Sequence, residues 1–395
     1  MADCCSPKSS ASSGCCASPP QAAAPSSCCS PKQGKTSCCP PAPAAGGRER
    51  PGYRLLPFVT GWLTTAAGEV PQVATALTRE DVVGRWQMRW GIGRLRYRIA
   101  AGLYAVGTPG ADSPVLVTAN YKLTFDALRR QLGSLDAWLL VLDTKGINVW
   151  CAAGKGTFGT DELVRRIGES GLDKIVGHRT LIVPQLGAVG VAAHKVTRET
   201  GFRVVYGPVR AADLKAFLAA GMAATPAMRR VTFSTPERLI LTPVELTGNL
   251  KTALWLLPLL WLLGGFGPGI FSLHAALARG DAVVAAALAA LVTGAVLAPT
   301  LLPWLPGRAF AAKGAALGGA VALLAILLAW GRLGSLNALA LLLALPAAAS
   351  YLTMKFTGST PYTSPSGVEK EMRRAIPLQA LALMVAAATW FAAAF

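Results

Sequence analysis

The chain has 395 residues, enough for two or three domains, and carries 38 Lys and Arg against 20 Asp and Glu, a formal net charge of +18. Apolar residues make up 52% of it and its mean hydropathy is +0.43, above the norm for soluble proteins. This composition argues against a wholly soluble protein and predicts that part of the chain lies in a membrane. The positive charge alone leaves three explanations open: a nucleic-acid partner, an anionic lipid surface, or basic cytoplasmic loops.

The first forty residues hold eight of the nine cysteines, in four adjacent pairs among Ser, Pro, Ala and Gly. Such a segment cannot bury a core, and we expect residues 1–48 to be disordered. Adjacent cysteines close a strained ring if they bond to each other, so capture of a soft metal by thiolates is favoured over a disulfide framework. A low-complexity leader without a fixed role is the alternative. The candidate metal-capturing residues are Cys4, Cys5, Cys15, Cys16, Cys28, Cys29, Cys38 and Cys39.

Residues 1–50 contain no apolar run, and we therefore expect no cleavable signal peptide and a cytoplasmic soluble part with reduced thiols. Residues 84–98, GRWQMRWGIGRLRYR, interleave basic and aromatic residues. RNA-binding proteins use such residues, but this segment matches no recognisable binding module. We therefore expect no nucleic-acid partner.

Short apolar runs alternate with amphipathic segments from residue 115 onward. Four candidate strands, VLVTA, AWLLVLD, TLIVP and FRVVYG, are each followed by a segment of helical period. This pattern predicts successive βα units with a parallel sheet buried on both faces, a Rossmann-like α/β domain over residues 49–248. Ligands of such sheets bind beyond the carboxyl ends of the strands, which here are TANYK, DTKGINVWCAAGK, PQLGA and GPVRA (residues 207–211). Thr118, Asn120, Gln185 and Gly187 at these ends are candidate binding residues.

The sequence after residue 248 predicts an all-α transmembrane domain, residues 249–395. Five spans are predicted, at about 252–276, 282–304, 311–331, 335–354 and 376–395, each close to the ~20 apolar residues that cross a bilayer. With the α/β domain in the cytoplasm, the second and fourth connections lie inside and carry six basic residues, whereas the outer connections carry only Arg279 and Arg332. This asymmetry favours a multi-pass protein of the cytoplasmic (inner) membrane and explains much of the net charge.

The fourth connection, residues 355–374, is long, polar and rich in turn-forming residues. A solvated linker is the plain interpretation. Long loops often carry function, however, and this one is expected on the same side as the α/β domain. We therefore hypothesise that it contacts that domain or a partner protein.

Cys151, the remaining cysteine, lies in GINVWCAAGKGTFGT, directly after the second predicted strand. The glycines of this segment do not match the spacing of a phosphate-binding loop or of a dinucleotide fingerprint. A small buried hydrophobe is the commonest role of a lone cysteine. Here the predicted helix start and Lys155 one turn later would stabilise an anion, and small residues on the exposed side would admit a flat ligand. No histidine is arranged as a base for a thiol nucleophile, which favours metal ligation.

Residues 148–155, NVWCAAGK, resemble the cap-helix motif of the corrinoid proteins of bacterial and archaeal mercury methylation, the HgcA family, with the cysteine in register. Residues 102–129, GLYAVGTPGADSPVLVTANYKLTFDALR, are similar to the corrinoid domain of the related corrinoid iron–sulfur protein of the acetyl-CoA pathway. With the five spans, the resemblance covers roughly residues 50–395. The cysteine-pair tail is not part of the family's core motif.

The resemblance implies a bound cobamide, a cobalamin-type corrinoid, with Cys151 as the catalytic residue and the axial ligand to cobalt. It places the rest of the motif around the corrin: Asn148, Val149, Trp150, Ala152, Ala153, Gly154 and Lys155. The histidine-ligand signature D-x-H-x-x-G is absent around His178 and His194, so a histidine-bound cobalt is not expected. The iron–sulfur cysteine spacing of the acetyl-CoA-pathway relative is absent too.

The resemblance also implies a function: transfer of a methyl group from cobalt to Hg(II), giving methylmercury, with remethylation from a methyl-tetrahydrofolate-derived donor or methyl-donor protein. Hg(II) is an electrophile, so the methyl group must leave with electrons, and an anionic axial donor favours this. Electrons would come from a ferredoxin-like two-cluster protein (HgcB-like). The alternatives are a membrane-tethered corrinoid methyl carrier with another acceptor, and a nonenzymatic protein that binds soft metals through the tail.

Overall fold

The computed structural model describes residues 57–94, 96–360 and 363–395. The paired cysteines of the tail and the disorder expected for residues 1–48 lie outside these residues. The described chain consists of an α/β domain built on a mixed sheet, followed by a helical region with five long apolar helices.

The α/β domain contains seven strands and seven α-helices. The strands are β1 Val59–Thr65, β2 Gly68–Val73, β3 Gly102–Val106, β4 Val115–Ala119, β5 Ala137–Leu142, β6 Thr180–Val183 and β7 Arg203–Tyr206. The helices are α1 Arg79–Arg89, α2 Lys122–Arg129, α3 Val149–Gly154, α4 Thr160–Ser170, α5 Leu172–Ile175, α6 Ala193–Thr200 and α7 Leu214–Ala219.

The four predicted strands are present as β4 to β7, and they pair in parallel in the order β5-β4-β6-β7. Every residue of β4 and β5 is buried, which explains their unbroken apolar sequences. Neighbouring residues alternate between two cores: Val117 and Leu140 lie in one, and Leu116 and Leu139 lie in the other. Helices therefore cover both faces of the sheet, as predicted.

The prediction of a purely parallel sheet is wrong, because three further strands extend it at the β5 edge in the order β1-β2-β3-β5. β3 runs antiparallel to β5, and β1 runs antiparallel to β2. β1 and β2 show no apolar run that would predict a strand, because exposed residues interrupt both strands and Pro71 lies within β2. The sheet is therefore mixed.

A buried ion-pair cluster joins α1 to α2 beside the β1–β3 side of the domain. Asp81 and Asp126 each accept hydrogen bonds from both Lys122 and Arg129. All four side chains are at most 8% exposed, and the ammonium and guanidinium groups both lie 5.1 Å from the centre of the Phe58 ring. Each buried charge thus has two opposite charges as partners, the condition under which burial of ions is tolerated.

The helical region begins with the short helix α8, Thr235–Leu239, and continues into the first apolar helix α9, Thr242–Gly264. The other four apolar helices span Leu273–Leu301, Phe310–Leu328, Ser335–Ser359 and Ser366–Ala392. All five are long and apolar enough to cross a membrane. The third and fourth apolar helices pack closely at Gly318, where an added side chain would lie only 2.8 Å from Cα of Pro346. Such contacts between small residues are typical of membrane helices.

Two predicted boundaries differ from the structure. The first apolar helix ends at Gly264, not near residue 276, because the segment GGFGPGIF forms a two-stranded turn, β8 Phe266–Gly267 and β9 Ile270–Phe271. The fourth connection is much shorter than expected. Its last residues belong to the fifth apolar helix, where the hydroxyl of Ser364 accepts a hydrogen bond from the N–H of Gly367 at 3.1 Å.

The remainder of the fourth connection contacts the start of α9 and the segment before α8. Lys355 Nζ donates to Asn249 Oδ1 at 2.7 Å, and the hydroxyl of Ser359 donates to Glu245 at 3.2 Å. The ring of Phe356 is fully buried and lies 6.4 Å from that of Phe233. The connection is therefore docked on the entrance to the helical region.

Replacing Asp81 by Asn should destabilise the α/β domain by about 3 kcal/mol at neutral pH, because two buried cations would share one carboxylate. Burial alone would raise the pKa of Asp81, but Lys122, the N–H of Thr78 and Arg129 outweigh it and lower the pKa from 3.8 to about 2. A pKa that is lower in the folded state adds stability that is complete above pH ~4 and is lost as the pH falls through about 2. The free energy of unfolding of the wild type should therefore fall by about 2 kcal/mol as the pH is lowered from ~4 through about 2.

The measurement is the thermal unfolding midpoint of the full chain in detergent micelles between neutral pH and pH 2. The exposed carboxylate of Asp173 provides a matched control, because Asp173→Asn removes a charge without a buried partner. Equal midpoints for Asp81→Asn and Asp173→Asn would contradict a stabilising role of the cluster.

Candidate functional site

The helix that carries Cys151 begins where the sequence predicts. Asn148 has an extended backbone, with φ −65° and ψ 160°, and its side-chain oxygen accepts the N–H of Cys151 at 2.9 Å. This is an N-cap, which satisfies a backbone donor that the helix itself leaves free. α3 then runs from Val149 to Gly154 and ends at Lys155.

The turn before α3 is held by one buried amide, that of Asn120 at the carboxyl end of β4. Its oxygen accepts the N–H of Thr144 at 3.1 Å, the hydroxyl of Thr144 at 2.9 Å and the N–H of Gly146 at 3.0 Å, and its nitrogen donates to Asp143 at 2.8 Å. Lys145 takes a left-handed conformation within this turn, with φ 56°, which is uncommon for a residue with a side chain. The Asn120 network supplies the contacts that fix this conformation.

Glu162 on α4 extends the network. Its carboxylate accepts the N–H of Asp143 at 2.8 Å and is also bonded by Arg165 and Arg166. Burial raises the pKa of Glu162, but the hydrogen bonds from Asp143, Arg166 and Arg165 outweigh it and lower the pKa overall. A charged Glu162 therefore ties α4 to the end of β5.

The orientation of α3 differs in part from expectation. Ala152 is fully buried and Ala153 is 5% exposed, so both face the core and not a ligand. Gly190 passes close to the backbone of α3, because a side chain on Gly190 would lie 3.0 Å from Cα of Ala153. Gly154 and Lys155 are exposed, as expected, and a side chain on Gly154 would meet nothing within 4 Å.

A cleft of about 370 Å³ opens at the carboxyl ends of β4, β6 and β7, beside the start of α3. The chain winds from β4 to β5 on one side and returns to β6 on the other, so the cleft lies at the point where the strand order reverses. Open α/β sheets bind ligands at this position. Asn148, Val149 and Trp150 line the cleft, and Cys151 follows as the next residue, half-buried and with a free thiol.

The four weaker candidates have different surroundings. Thr118 lines the cleft. Asn120 is occupied by the turn described above. The side-chain oxygen of Gln185 accepts a hydrogen bond from Arg229 at 2.6 Å, and Gly187 is packed against the ring of Phe158.

The segment after β7, residues 207–211, is one of the strand ends at which the sequence predicts ligand binding, and it lines the far side of the cleft. Arg210 is the charged residue in the lining, and its guanidinium lies 3.6 Å from the carboxylate of Glu237. Several further lining residues, such as Leu128, Leu186 and Leu214, are aliphatic. The sequence does not distinguish these aliphatic residues from core residues, because the helix face that lines a cleft has the same apolar spacing as a face that is buried in the core.

One histidine of the domain, His178, is too distant to serve Cys151 as a base. His178 lies at the opposite end of the sheet, where its ring contacts the carbonyl of Ser113 at 2.9 Å and the N–H of Thr180 at 3.2 Å. Within the part of the chain that the structure describes, no three His, Cys, Asp or Glu side chains group into a metal site.

Comparisons with known proteins find similarity within this domain. Residues 94–218 match the family model described as CO dehydrogenase/acetyl-CoA synthase delta subunit. The chain is 34% identical over 127 residues to the gamma subunit of the acetyl-CoA decarbonylase/synthase complex of Archaeoglobus fulgidus, covering 32% of this chain and 27% of that protein. It is 32% identical over 128 residues to the corrinoid/iron-sulfur protein large subunit of Moorella thermoacetica, covering 32% of this chain and 28% of that protein.

The match is thus confined to the α/β domain, and the chain spans about a quarter of the length of these relatives. The matched residues include β3 to β7, the cleft and the whole of α3. The chain is related to corrinoid proteins through the domain that contains Cys151.

Replacing Asn120 by Ala should release the turn at 143–146 and loosen α3. The change leaves buried donors of Thr144 and Gly146 without partners, which we expect to cost about 3 kcal/mol. Hydrogen–deuterium exchange of the full chain should be faster across residues 143–156. Asn249→Ala, which removes an amide from α9, should leave exchange at 143–156 unchanged. Unaltered exchange in Asn120→Ala would exclude the amide as the element that holds α3.

Proposed function

We propose that this protein is a membrane-anchored corrinoid methyltransferase that makes methylmercury from Hg(II). One observation carries the proposal: Asn148 caps a helix that presents a half-buried, free Cys151 next to the cleft of a domain related to corrinoid proteins. The domain limits that go with it are 1–48 for the tail, 49–248 for a Rossmann-like corrinoid domain and 249–395 for the membrane domain.

The cleft suits a cobamide in three respects. It lies at the carboxyl ends of parallel strands, its walls are mostly aliphatic, and it holds few polar groups, among them Thr118, Asn148 and Arg210. Binding sites for flat organic cofactors combine an apolar wall with a few polar groups that set orientation. The single thiol beside it matches a cofactor that brings its remaining metal ligands with it.

When bound, a cobamide supplies a methyl group carried on cobalt. The residues of this chain would hold the cobamide. The sulfur of Cys151 would bind the cobalt, and Asn148 positions this residue by accepting its N–H at the start of α3. Trp150, which is 37% exposed, offers a flat apolar surface at the cleft, while Gly154 and Lys155 lie on the open side of the helix. Ala152, Ala153 and Val149 anchor the helix to the core.

The choice of Hg(II) as acceptor rests on the resemblance of NVWCAAGK to the mercury-methylation family and on the thiol-rich tail, since thiolates prefer soft metals. Remethylation would come from a methyl-tetrahydrofolate-derived donor or a methyl-donor protein. A ferredoxin-like protein with two clusters would supply electrons, because the described residues hold no cluster site. The five apolar helices would anchor the domain in the cytoplasmic membrane with the corrinoid domain inside.

A second candidate function is a membrane-tethered corrinoid methyl carrier with another acceptor. The observation that favours it is that the relatives matched by the α/β domain are named as subunits of an acetyl-CoA decarbonylase/synthase and of a corrinoid/iron-sulfur protein. Cofactor binding at Cys151 is common to both candidates, and the acceptor distinguishes them.

The axial ligand is tested by the optical spectrum of the full chain purified with cobalamin. Cys151→Ala and Cys151→His should each shift the cobalt-dependent absorption bands relative to wild type, because the axial donor changes from sulfur to water or nitrogen. A variant with the eight tail cysteines changed to Ser and Cys151 retained is the matched control and should keep the wild-type spectrum. Identical spectra for Cys151→Ala and wild type would disprove ligation by Cys151.

The acceptor is tested in cells that contain the electron donor. Methylmercury formation should fall to background in Cys151→Ala. Removal of residues 1–45 should lower the rate at limiting Hg(II) and leave it unchanged at saturating Hg(II), because the tail would act by concentrating the metal. An unchanged rate at both concentrations would show that the tail does not deliver mercury. Cobalamin binding without methylmercury formation by the wild type would favour the methyl carrier.

A further inference from the structure

The outer face of α1 is apolar and aromatic, although α1 packs on the domain through its other face. Asp81, Gly84 and Met88 are buried, at spacings of three and four residues. Val82, Trp86 and Trp90 form the opposite ridge and are 42%, 64% and 40% exposed. Val83 and Ile92 enlarge this face, with exposures of 54% and 60%. We call Val82, Val83, Trp86, Trp90 and Ile92 the α1 face.

Arginines surround the α1 face. Arg79 lies on the ridge of Val82 and Trp86, and Arg85 and Arg89 flank it one position away. Within the described residues none of these three guanidinium groups makes an ion pair with a carboxylate. The following turn adds Arg94, Arg96 and Arg98, all exposed, against one exposed acid, Glu80, on the helix. The patch is therefore both apolar and strongly basic.

The position of the α1 face relative to the apolar helices points to its partner. A side chain on Gly91, between Trp90 and Ile92, would contact Val244 and Thr247 near the start of α9, at 3.4 and 3.3 Å. The exposed apolar surface of α9 begins at Leu250 and Leu254, 52% and 63% exposed, within about 10 Å along the helix.

The same end of the helical region carries an exposed tryptophan on another connection. Trp304, 67% exposed, follows the second apolar helix and lies 5.7 Å from the guanidinium of Arg238 on α8. Tryptophan and arginine concentrate where membrane helices meet the lipid headgroups.

We propose that the α1 face docks on the surface of an anionic lipid bilayer, with its aromatic side chains at the headgroup level and its arginines on lipid phosphates. The proposal rests on the membrane location proposed above for the five helices. Amphipathic helices with basic flanks bind membranes in this way, by burying apolar area and neutralising lipid charge. Docking would give the α/β domain a second attachment to the bilayer besides α9.

Continuity with α9 favours lipid over nucleic acid as the occupant. Nucleic-acid surfaces use aromatic residues to stack bases within a basic groove. Val82 and Val83, in contrast, are aliphatic and lie on the convex surface of a helix, and the aliphatic Ile92 lies in the turn after it. The face also starts at the level where the lipid-facing surface of α9 starts.

The test is hydrogen–deuterium exchange of the full chain in nanodiscs of phosphatidylcholine alone and in nanodiscs with roughly one third phosphatidylglycerol. We expect slower exchange across residues 82–92 in the anionic discs. Arg79→Gln should reduce this protection about fivefold, the effect of one basic group at an anionic surface. Trp86→Ser should reduce it in both kinds of disc. The exposed Arg198 on α6 gives the matched control, and Arg198→Gln should leave protection unchanged.

Protection of residues 242–264 reports separately on membrane insertion. Slow exchange there together with equal exchange at 82–92 in both discs, for wild type and variants, would overturn docking and leave the membrane anchor intact. Fast exchange at 242–264 in the discs would refute the anchor itself, and the docking proposal with it. Protection of 82–92 that requires added single-stranded RNA would also overturn the proposal and identify the face as a nucleic-acid surface.

Discussion

The geometry around Cys151 depends on the side chain of one residue, Asn120. It lies at the end of a central strand and bonds to three residues of the turn that follows the neighbouring strand, Asp143, Thr144 and Gly146. Parallel strands end at the same edge of a sheet, so an amide on one strand can reach the loop of the next. Because that turn includes a left-handed non-glycine residue, its shape would not persist without these contacts. α3 starts where the turn ends, which fixes the position of the thiol.

The second constraint is the close packing of α3 on the domain. Ala152 and Ala153 face the core, and Gly190 approaches the backbone of Ala153 so closely that a side chain on Gly190 would lie 3.0 Å from its Cα. The helix is therefore held by the packing of its buried face on the core and by the Asn148 cap at its start. This leaves Cys151 with a defined position beside the cleft while the rest of its open side, Gly154 and Lys155, remains accessible. A short helix of six residues is otherwise marginal in water, so its order comes from these tertiary contacts.

The α/β domain and the helical region meet at the first apolar helix. The fourth connection docks on Glu245 and Asn249 from one side, and Gly91 approaches Val244 and Thr247 from the other. The entrance to α9 is thus the place where the turn after α1, the segment before α8 and the fourth connection converge. A shift of α9 would therefore disturb contacts with the domain that carries the cleft.

The sequence by itself determined the four parallel strands, the helix at Cys151 and the number of apolar helices, because each depends on local patterns: unbroken apolar runs, an Asn before a helix, and stretches of about 20 apolar residues. It also determined the motif NVWCAAGK, through which the corrinoid proposal arose. Tertiary structure alone decided the three further strands. β1 and β2 are half-exposed, and they form strands through pairing with neighbouring strands. Tertiary structure alone also decided that Asn120 holds a turn and that Ala152 and Ala153 face inward. These facts depend on which segments meet in space, and neither periodicity nor composition records that.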